Sequence, residues 1–243
     1  MRSLISLTFD DGLRCQFERA VPILDSHGMS ATFFLTANQD PTHERWLGHT
    51  DDWSKIDWRA DDIENLRRLV DRGHEIGSHG LTHQQAKMRS NPLGEARLSK
   101  ELIEGWLGTK ITSFCYPYCN SHAYLAEAVK SAGYEQARGG AQSSYYAVNQ
   151  RSFDKFNLDC RRVSNRASVA EWVRPGYCHI LMFHAIGNQR DGWSPISERT
   201  FAMLIAELAR YRDEGAAEIL TFGRAAARLE AASRLNNAAP QSA

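Results

Sequence analysis

Two pairs of side chains in this sequence have the residue types and the spacing of a hydrolytic metal site. Asp10 and Asp11 stand side by side shortly after the apolar run of residues 4–7, and His79 and His83 stand four residues apart. One carboxylate and two imidazoles make a three-ligand metal site with an open position. The second carboxylate can then act as a base, so the combination points to metal-assisted hydrolysis.

Each pair also has a plainer structural interpretation. The Asp-Asp-Gly segment that begins at Asp10 is a common turn sequence, and two histidines can lie on the surface or in the core of a short helix. The spacing of His79 and His83 nevertheless predicts that both imidazoles lie on one helical face. Because adjacent carboxylates repel each other, a nearby cation would help to keep both aspartates ionised.

The composition is that of an ordinary globular protein. The chain has 243 residues, is 42% hydrophobic and 24% charged, and has a formal net charge of zero. This balance gives no electrostatic basis for binding nucleic acid, and no apolar stretch approaches the ~20 residues of a membrane span. The N-terminus enters an apolar strand at once, without a signal-peptide core, which predicts a cytoplasmic protein. Five scattered cysteines predict reduced, buried thiols.

Short apolar β-type runs alternate with amphipathic helical stretches along the chain. Strands are predicted at residues 4–8, 31–35, 75–77, 113–116, 158–163, 179–183 and 218–220. Helices are predicted at residues 16–26, 61–72, 95–106, 123–132, 169–174 and 198–211. Such repeated units predict an α/β fold with a mostly parallel sheet, and their number suits one distorted (β/α) barrel. We therefore expect one domain over residues 1–235 and a disordered tail over residues 236–243.

Further candidate residues lie at predicted strand ends, which line the active-site mouth of a barrel. The strand at residues 179–183 leads into His184, and the segment 114–119 places a proline between aromatic residues that could wall a sugar-binding groove. The polar segment 36–60 is too long for an ordinary connection and is interpreted as a binding loop. The predicted substrate contacts are Tyr116, Pro117, Tyr118 and Trp193, and the tryptophans of the long loop are Trp46, Trp53 and Trp58.

Taken together, these segments resemble the NodB-type polysaccharide deacetylases, carbohydrate esterase family 4. Residues 8–12 look like the first motif of that family, and residues 79–83 look like the second, a His-Ser/Thr-x-x-His pattern with Gly80 at its second position. Residues 114–119 resemble the third motif and residues 181–184 the fifth, Leu-x-x-His. The segments occur in the order of the family and span almost the whole chain.

The resemblance implies a seven-stranded, distorted barrel and a site with divided roles. Asp10 would be the general base and His184 the general acid that protonates the leaving amine. A main-chain N–H near Tyr118, together with the metal, would stabilise the oxyanion. The residues implied to hold one divalent metal, commonly zinc, are Asp11, His79 and His83.

The third motif departs from the commoner pattern of the family. Cys115 stands where an arginine usually pairs with the base carboxylate, and Cys119 replaces a usual glycine. We predict that Arg162, near the end of the strand at residues 158–163, supplies the missing guanidinium, by resemblance to relatives whose fourth segment carries an arginine. Asp159 is the predicted partner that orients His184.

The predicted function is a metal-dependent hydrolase that removes N-acetyl or O-acetyl groups from an amino sugar or glycan. One alternative keeps the fold but opens cyclic amides such as allantoin, sometimes without metal. A second alternative is a sugar-binding protein that has lost catalysis. The complete metal set argues against the first alternative, and the presence of Asp10 and His184 argues against the second. The sequence does not identify the substrate or the oligomeric state.

Overall fold

A computed structural model describes residues 2–37, 58–139, 145–148 and 154–238 of the chain. The predicted loop residues Trp46 and Trp53 lie outside these ranges. Within them, the strands are β1 (Ser3–Phe9), β2 (Thr32–Leu35), β3 (Glu75–Ser78), β4 (Ser113–Cys115), β5 (Gln136–Arg138), β6 (Tyr146–Ala147), β7 (Arg161–Arg162), β8 (Tyr177–Phe183) and β9 (Ala217–Leu220). The α-helices are α1 (Val21–Ser26), α2 (Ala60–Asp71), α3 (Gln85–Ser90), α4 (Pro92–Leu107), α5 (Ala123–Ser131), α6 (Glu198–Asp213) and α7 (Phe222–Ala238).

The sheet is built around β1, every residue of which is buried. One edge of β1 pairs in parallel with β8 from Leu4 to Phe9. The other edge of β1 pairs with β9 from Ser3 to Ser6 and with β2 at Thr8 and Phe9. Strands β3, β4 and β5 follow β2 in that order, all parallel. The predicted, mostly parallel sheet is therefore confirmed.

The segment of residues 158–162 brings the two sides of the sheet together. Leu158 pairs in parallel with Arg138 at the end of β5, and β7, three residues further on, pairs in parallel with β8. The short strand β6 is antiparallel to β8. The main path of the sheet has the order β5-β4-β3-β2-β1-β8-β6, seven strands, and it curls as a distorted (β/α) barrel with an irregular seam. This confirms the predicted fold class.

Alternate residues of the central strands contribute to two separate hydrophobic clusters. Ile5, Leu7 and Phe9 pack with the buried face of α6, as expected for a sheet covered by helices. Leu4 belongs to the other cluster, together with residues of β8 and of α7. The Phe9 ring stacks on Phe183 with centroids 5.1 Å apart and meets Phe201 of α6 edge-on at 5.8 Å. This packing fixes the ends of β1 and β8, where the candidate site begins.

Local sequence signals explain where two of the longer helices begin and end. In α4, the Asn91 side chain accepts a hydrogen bond from the Gly94 N–H, Pro92 occupies the first turn, and Gly108 ends the helix at a φ of 69°. In α6, Ser197 accepts from the N–H of Thr200. The apolar face predicted for α6 is buried, as its helical spacing requires.

Several elements differ from the sequence-based expectations. The strands β5 and β6 and the helices α3 and α7 were not predicted, and the helix predicted at residues 169–174 is only a 3-10 turn, Val169–Glu171. Helix α7 runs to Ala238, three residues into the predicted tail. The segment β5 escapes prediction because its sequence, Gln-Ala-Arg, is polar although all three residues are buried. Among the described residues, no helix is long and apolar enough to cross a membrane.

The aromatic cluster leads to a prediction about stability. Phe201 is fully buried against Phe9 and Phe183, so Phe201→Ala should lower the free energy of unfolding by about 3–5 kcal/mol. Met203 lies on the same helix with 63% of its surface exposed, so Met203→Ala should change stability by less than about 0.5 kcal/mol. Urea unfolding followed by circular dichroism measures both, and equal effects of the two changes would contradict this packing.

Candidate metal centre and active site

The candidate residues lie at the carboxyl ends of neighbouring strands. Asp10 follows β1, and its N–H donates to the Phe183 carbonyl at 3.0 Å. His79 follows β3, and its N–H donates to the carbonyl of Leu35 at 2.7 Å. His184 follows β8, the partner of β1. Parallel pairing therefore brings side chains from distant parts of the sequence to one mouth, as expected for a barrel.

The three candidate metal ligands, Asp11, His79 and His83, converge on one point. The Nε2 atoms of His79 and His83 lie 3.4 Å and 3.5 Å from Asp11 Oδ1. Bonds of about 2.0–2.1 Å in a tetrahedral zinc site place neighbouring ligand atoms about 3.3 Å apart. His79 Nδ1 lies 2.9 Å from the Cys115 carbonyl, which fixes the ring with Nε2 towards Asp11. The donor types, their separations and this orientation fit a divalent metal ion.

The chain between the two histidines is a loop, and the prediction that they share a helical face is wrong. Gly80 adopts a φ of 86° and His83 a φ of 56°, so neither residue continues a helix. Thr82 anchors the loop, since its N–H and hydroxyl donate to the two carboxylate oxygens of Glu95, both at 2.9 Å. The glycine at the second position of the motif thus meets a backbone requirement, because other residues are strained at that φ.

Asp10 is 2% exposed and pairs with Arg138, which is completely buried. Arg138 Nη2 donates to Asp10 Oδ1, and the other carboxylate oxygen, Oδ2, lies 3.8 Å from His184 Nε2. Burial alone would raise the pKa of Asp10, but the charge of Arg138, with His79 and His184, lowers it on balance. Asp10 is therefore held as a carboxylate in the interior of the barrel.

The prediction that Arg162 pairs with Asp10 is wrong. Arg138, the register partner of Cys115 across β4 and β5, is the residue that pairs with Asp10. Arg162 is exposed, and its guanidinium lies 5.2 Å from the centroid of the Trp193 ring. The neighbouring Arg161 forms an ion pair with Glu171.

His184 lies between Asp10 and the rim of the mouth. The rings of His184 and Trp193 meet edge to face with centroids 4.6 Å apart. Burial lowers the pKa of His184, against the opposing charges of Asp11 and Asp10. Asp159, the predicted orienting residue, is half-buried, and its N–H donates to the Tyr146 hydroxyl. A contact of Asp159 with His184 stays a prediction.

The predicted substrate contacts divide into buried and exposed residues. Tyr116 is fully buried and packs edge-on against Phe114, so it does not wall a groove, and that prediction is wrong. Pro117 is buried beneath Gly80. Tyr118 is 40% exposed, lies 4.7 Å from the His83 ring centroid and donates its hydroxyl to the His83 carbonyl at 3.2 Å.

Trp193 and Trp58 lie in different surroundings. Trp193 is 36% exposed beside His184. Trp58 donates its indole N–H to the Thr36 carbonyl at 3.0 Å and packs against Trp106. Tyr118 and Trp193 thus lie at the accessible rim beside a metal-ligand candidate and the candidate acid.

Three supporting residues were not found from the sequence: Arg138, Glu95 and Gln16. Gln16 donates from Nε2 to the carbonyls of Asp10 and His184, at 2.5 Å and 3.0 Å, and so joins the ends of β1 and β8. Each of the three is a polar residue in a helix or in the short polar strand β5, and the periodicity of the sequence there favours a surface position. In an alternating fold a strand commonly follows a helix directly, and this pattern after the helix at residues 123–132 is the signal that could have located Arg138.

The site also concentrates backbone strain. Asp11, His83, Tyr118 and Cys119 all adopt φ values between 55° and 76°, in the left-handed region that favours glycine. Each such conformation costs about 1–3 kcal/mol and persists only where the surrounding structure enforces it. Strained backbone at four residues of one mouth is typical of a functional site.

Comparisons with known proteins agree with this geometry. The chain is 26% identical over 200 residues to the chitooligosaccharide deacetylase of Bradyrhizobium sp. (strain ANU 289). The aligned residues make up 81% of this chain and 74% of that protein. It is 23% identical over 133 residues to YxkH of Bacillus subtilis (strain 168). Here the aligned residues make up 54% of this chain and 42% of that protein. The chain thus spans less than half of the length of that second relative.

Solved structures show the same fold. A family 4 acetyl xylan esterase from Clostridium thermocellum, in complex with a cobalt ion, superimposes with a TM-score of 0.57 at 21% identity and covers 91% of this chain and 89% of that one. The chitin deacetylase of the fungal pathogen Colletotrichum lindemuthianum gives a TM-score of 0.58 at 19% identity and covers 93% and 88%.

The sequence profile of polysaccharide deacetylases matches residues 2–137. This segment carries Asp10, Asp11, His79 and His83, whereas Arg138 follows it immediately. Because the matched segment is more than half of the sequence, this chain belongs to the polysaccharide deacetylase family.

Proposed function

We propose that this protein is a metal-dependent hydrolase that removes acetyl groups from an amino sugar or a glycan. The observation that carries the proposal is the convergence of two imidazole Nε2 atoms on Asp11 Oδ1, at 3.4 Å and 3.5 Å, beside a second, buried carboxylate held by Arg138. Family membership and the deacetylase activities named for the relatives support it. Neither a cyclic-amide hydrolase nor a non-catalytic sugar-binding protein receives support from these relatives.

Asp11, His79 and His83 would hold one divalent metal ion, which we propose is zinc and which when bound supplies Lewis-acid polarisation of the acetyl carbonyl and of water. The nitrogen and carboxylate donors suit zinc and also cobalt, the ion in the acetyl xylan esterase complex. Asp11 is suited to this role because nearby histidines lower its pKa despite its burial.

Asp10 would take a proton from the attacking water. Its carboxylate is charged and fixed by Arg138, so no reorganisation is needed before proton transfer. His184 would deliver a proton to the departing group, across the mouth from Asp10. Because burial lowers the pKa of His184, its protonated form is a stronger acid than an exposed imidazolium.

The rim residues would bind the sugar. Tyr118 and Trp193 each present a partly exposed aromatic surface next to a reacting residue, the arrangement expected for a pyranose ring held over the metal. The Tyr118 main-chain N–H is the proposed oxyanion donor. Asp159 is the proposed partner of His184.

The proposed function is tested by measuring acetate release from purified, zinc-loaded protein. The panel contains N-acetylglucosamine, chitin oligosaccharides of increasing length, acetylated xylan and allantoin, which represents the cyclic-amide alternative. Acetate from at least one acetylated sugar, with allantoin untouched, is expected. Allantoin opening without acetate release would replace the proposal with the cyclic-amide alternative.

The two aspartates should have separable effects on metal and turnover. His83→Ala and Asp11→Asn should remove most of the bound metal, because each deletes one of three ligands. Asp10→Asn should keep the metal yet lower kcat by about 10²–10⁴-fold, the loss typical of a missing general base. Metal content by mass spectrometry and acetate release distinguish the roles, and a metal-free Asp10→Asn protein would show that the assignment is reversed.

Arg138, and not Arg162, should control the ionisation of Asp10. Arg138→Met removes the charge that lowers the Asp10 pKa, so the acidic limb of kcat/KM should move to higher pH. Because the change leaves a buried carboxylate unpaired, it should also destabilise the fold by about 3–5 kcal/mol. Arg162→Met is the matched control and should leave the acidic limb in place. A shift produced by Arg162→Met alone would restore the sequence-based assignment.

A further inference from the structure

Thiol groups surround the guanidinium that holds Asp10. Arg138 Nη1 donates to Cys160 Sγ at 2.9 Å, and Cys160 is hydrogen-bonded in turn to Cys119. Cys115 Sγ lies 3.7 Å from Asp10 Oδ2. None of these thiols has a part in the proposed hydrolysis, although Cys115 and Cys160 both contact the ion pair.

Cys119 has an unfavourable backbone conformation and packs against the hydrophobic cluster that contains Cys160. Its φ is 55°, following Tyr118 at 60°, in a turn closed by the Cys119 N–H and the Tyr116 carbonyl at 3.1 Å. A cysteine in this conformation costs more than the glycine that the third motif usually has there. Cys119 is half-buried at the mouth, whereas Cys160 is completely buried beneath it. A small oxidant entering the mouth therefore meets Cys119 first.

We propose that Cys119 and Cys160 are a modification site, a thiol pair that a hydroperoxide oxidises to a reversible disulfide. The disulfide would remove the Cys160 thiol from Arg138 and so disturb the ion pair that holds Asp10. Modification at this position would lower hydrolytic activity without touching a metal ligand.

The chemistry balances with the hydroperoxide as the oxidant. The Cys119 thiolate attacks the peroxide, its sulfur becomes a sulfenic acid, and hydroxide leaves as the O–O bond breaks. The Cys160 sulfur then attacks the sulfenic sulfur, the S–S bond forms, and water leaves with the proton of the second thiol. With hydrogen peroxide, two thiols lose two electrons and two protons, and one peroxide becomes two waters.

The surroundings of the thiols favour Cys119 as the attacking group. The hydrogen bond from Cys160 lowers the pKa of Cys119, and Arg138 adds to this effect against the opposing effect of burial. Burial raises the pKa of Cys115 and of Cys15 to about 11 and that of Cys178 to about 12, so these thiols resist oxidation. A half-buried thiol with a lowered pKa and a second thiol in contact has the features of a redox-sensitive pair.

The decisive experiment treats the reduced full-length protein with a small excess of hydrogen peroxide and maps the products by mass spectrometry. We expect a loss of two hydrogen masses, a peptide cross-link between Cys119 and Cys160, and recovery of both thiols with dithiothreitol. This readout does not depend on acetate release, so it stands apart from the proposed function. Where acetate release is measurable, it should fall and recover with the cross-link.

Three variants complete the test. Cys119→Ser should abolish the cross-link, and Cys160→Ser should leave Cys119 as a sulfenic acid that a dimedone probe traps. Cys178→Ala is the matched control, since this buried thiol belongs to the same hydrophobic cluster as Cys160, and the cross-link should form normally in it. Oxidation of Cys119 directly to sulfinic acid in the wild-type protein, or no reaction of Cys119 at all, would overturn the proposal.

Discussion

The buried ion pair between Asp10 and Arg138 is the interaction on which the candidate site depends. Both side chains are almost completely removed from solvent, and removing an ion pair from water costs several kcal/mol per charge unless the pair is tightly hydrogen-bonded. Arg138 donates to Asp10 on one side and to the Cys160 thiol on the other, while its buried Nε has no hydrogen-bond partner among the described residues. A carboxylate at this depth without the guanidinium would take up a proton, and a protonated Asp10 cannot act as a base.

The fold provides this pair and the proposed metal ligands by different means. Arg138 and Asp10 meet inside the barrel because their strands curl around a common interior. Asp11, His79 and His83 meet at the mouth because loops leave the strands in strained conformations, and the Thr82–Glu95 hydrogen bonds secure one of those loops. The interior therefore fixes the proposed base, and the loops above it bring the three proposed ligands close to one another.

Much of the site could be predicted from local sequence. Asp10, Asp11, His79, His83 and His184 lie in short motifs next to apolar strands, and the parallel sheet brings them together as expected. Arg138 could not be predicted, because β5 is polar and because only the pairing of β5 with β4 reveals its position beside Cys115. The helical spacing of the histidines was misleading, since Gly80 ends any helix there. Tyr116 was misassigned because an aromatic residue at a strand end can face the core as well as the groove.

The central claim is that acetyl hydrolysis at this mouth requires a metal held by Asp11, His79 and His83. The most direct measurement is acetate release by the wild-type protein before chelation, after complete metal removal, and after stepwise return of zinc. We expect that activity disappears with the metal and returns in full at one zinc per chain, in a protein that stays folded throughout. Undiminished acetate release from verified metal-free protein would contradict it.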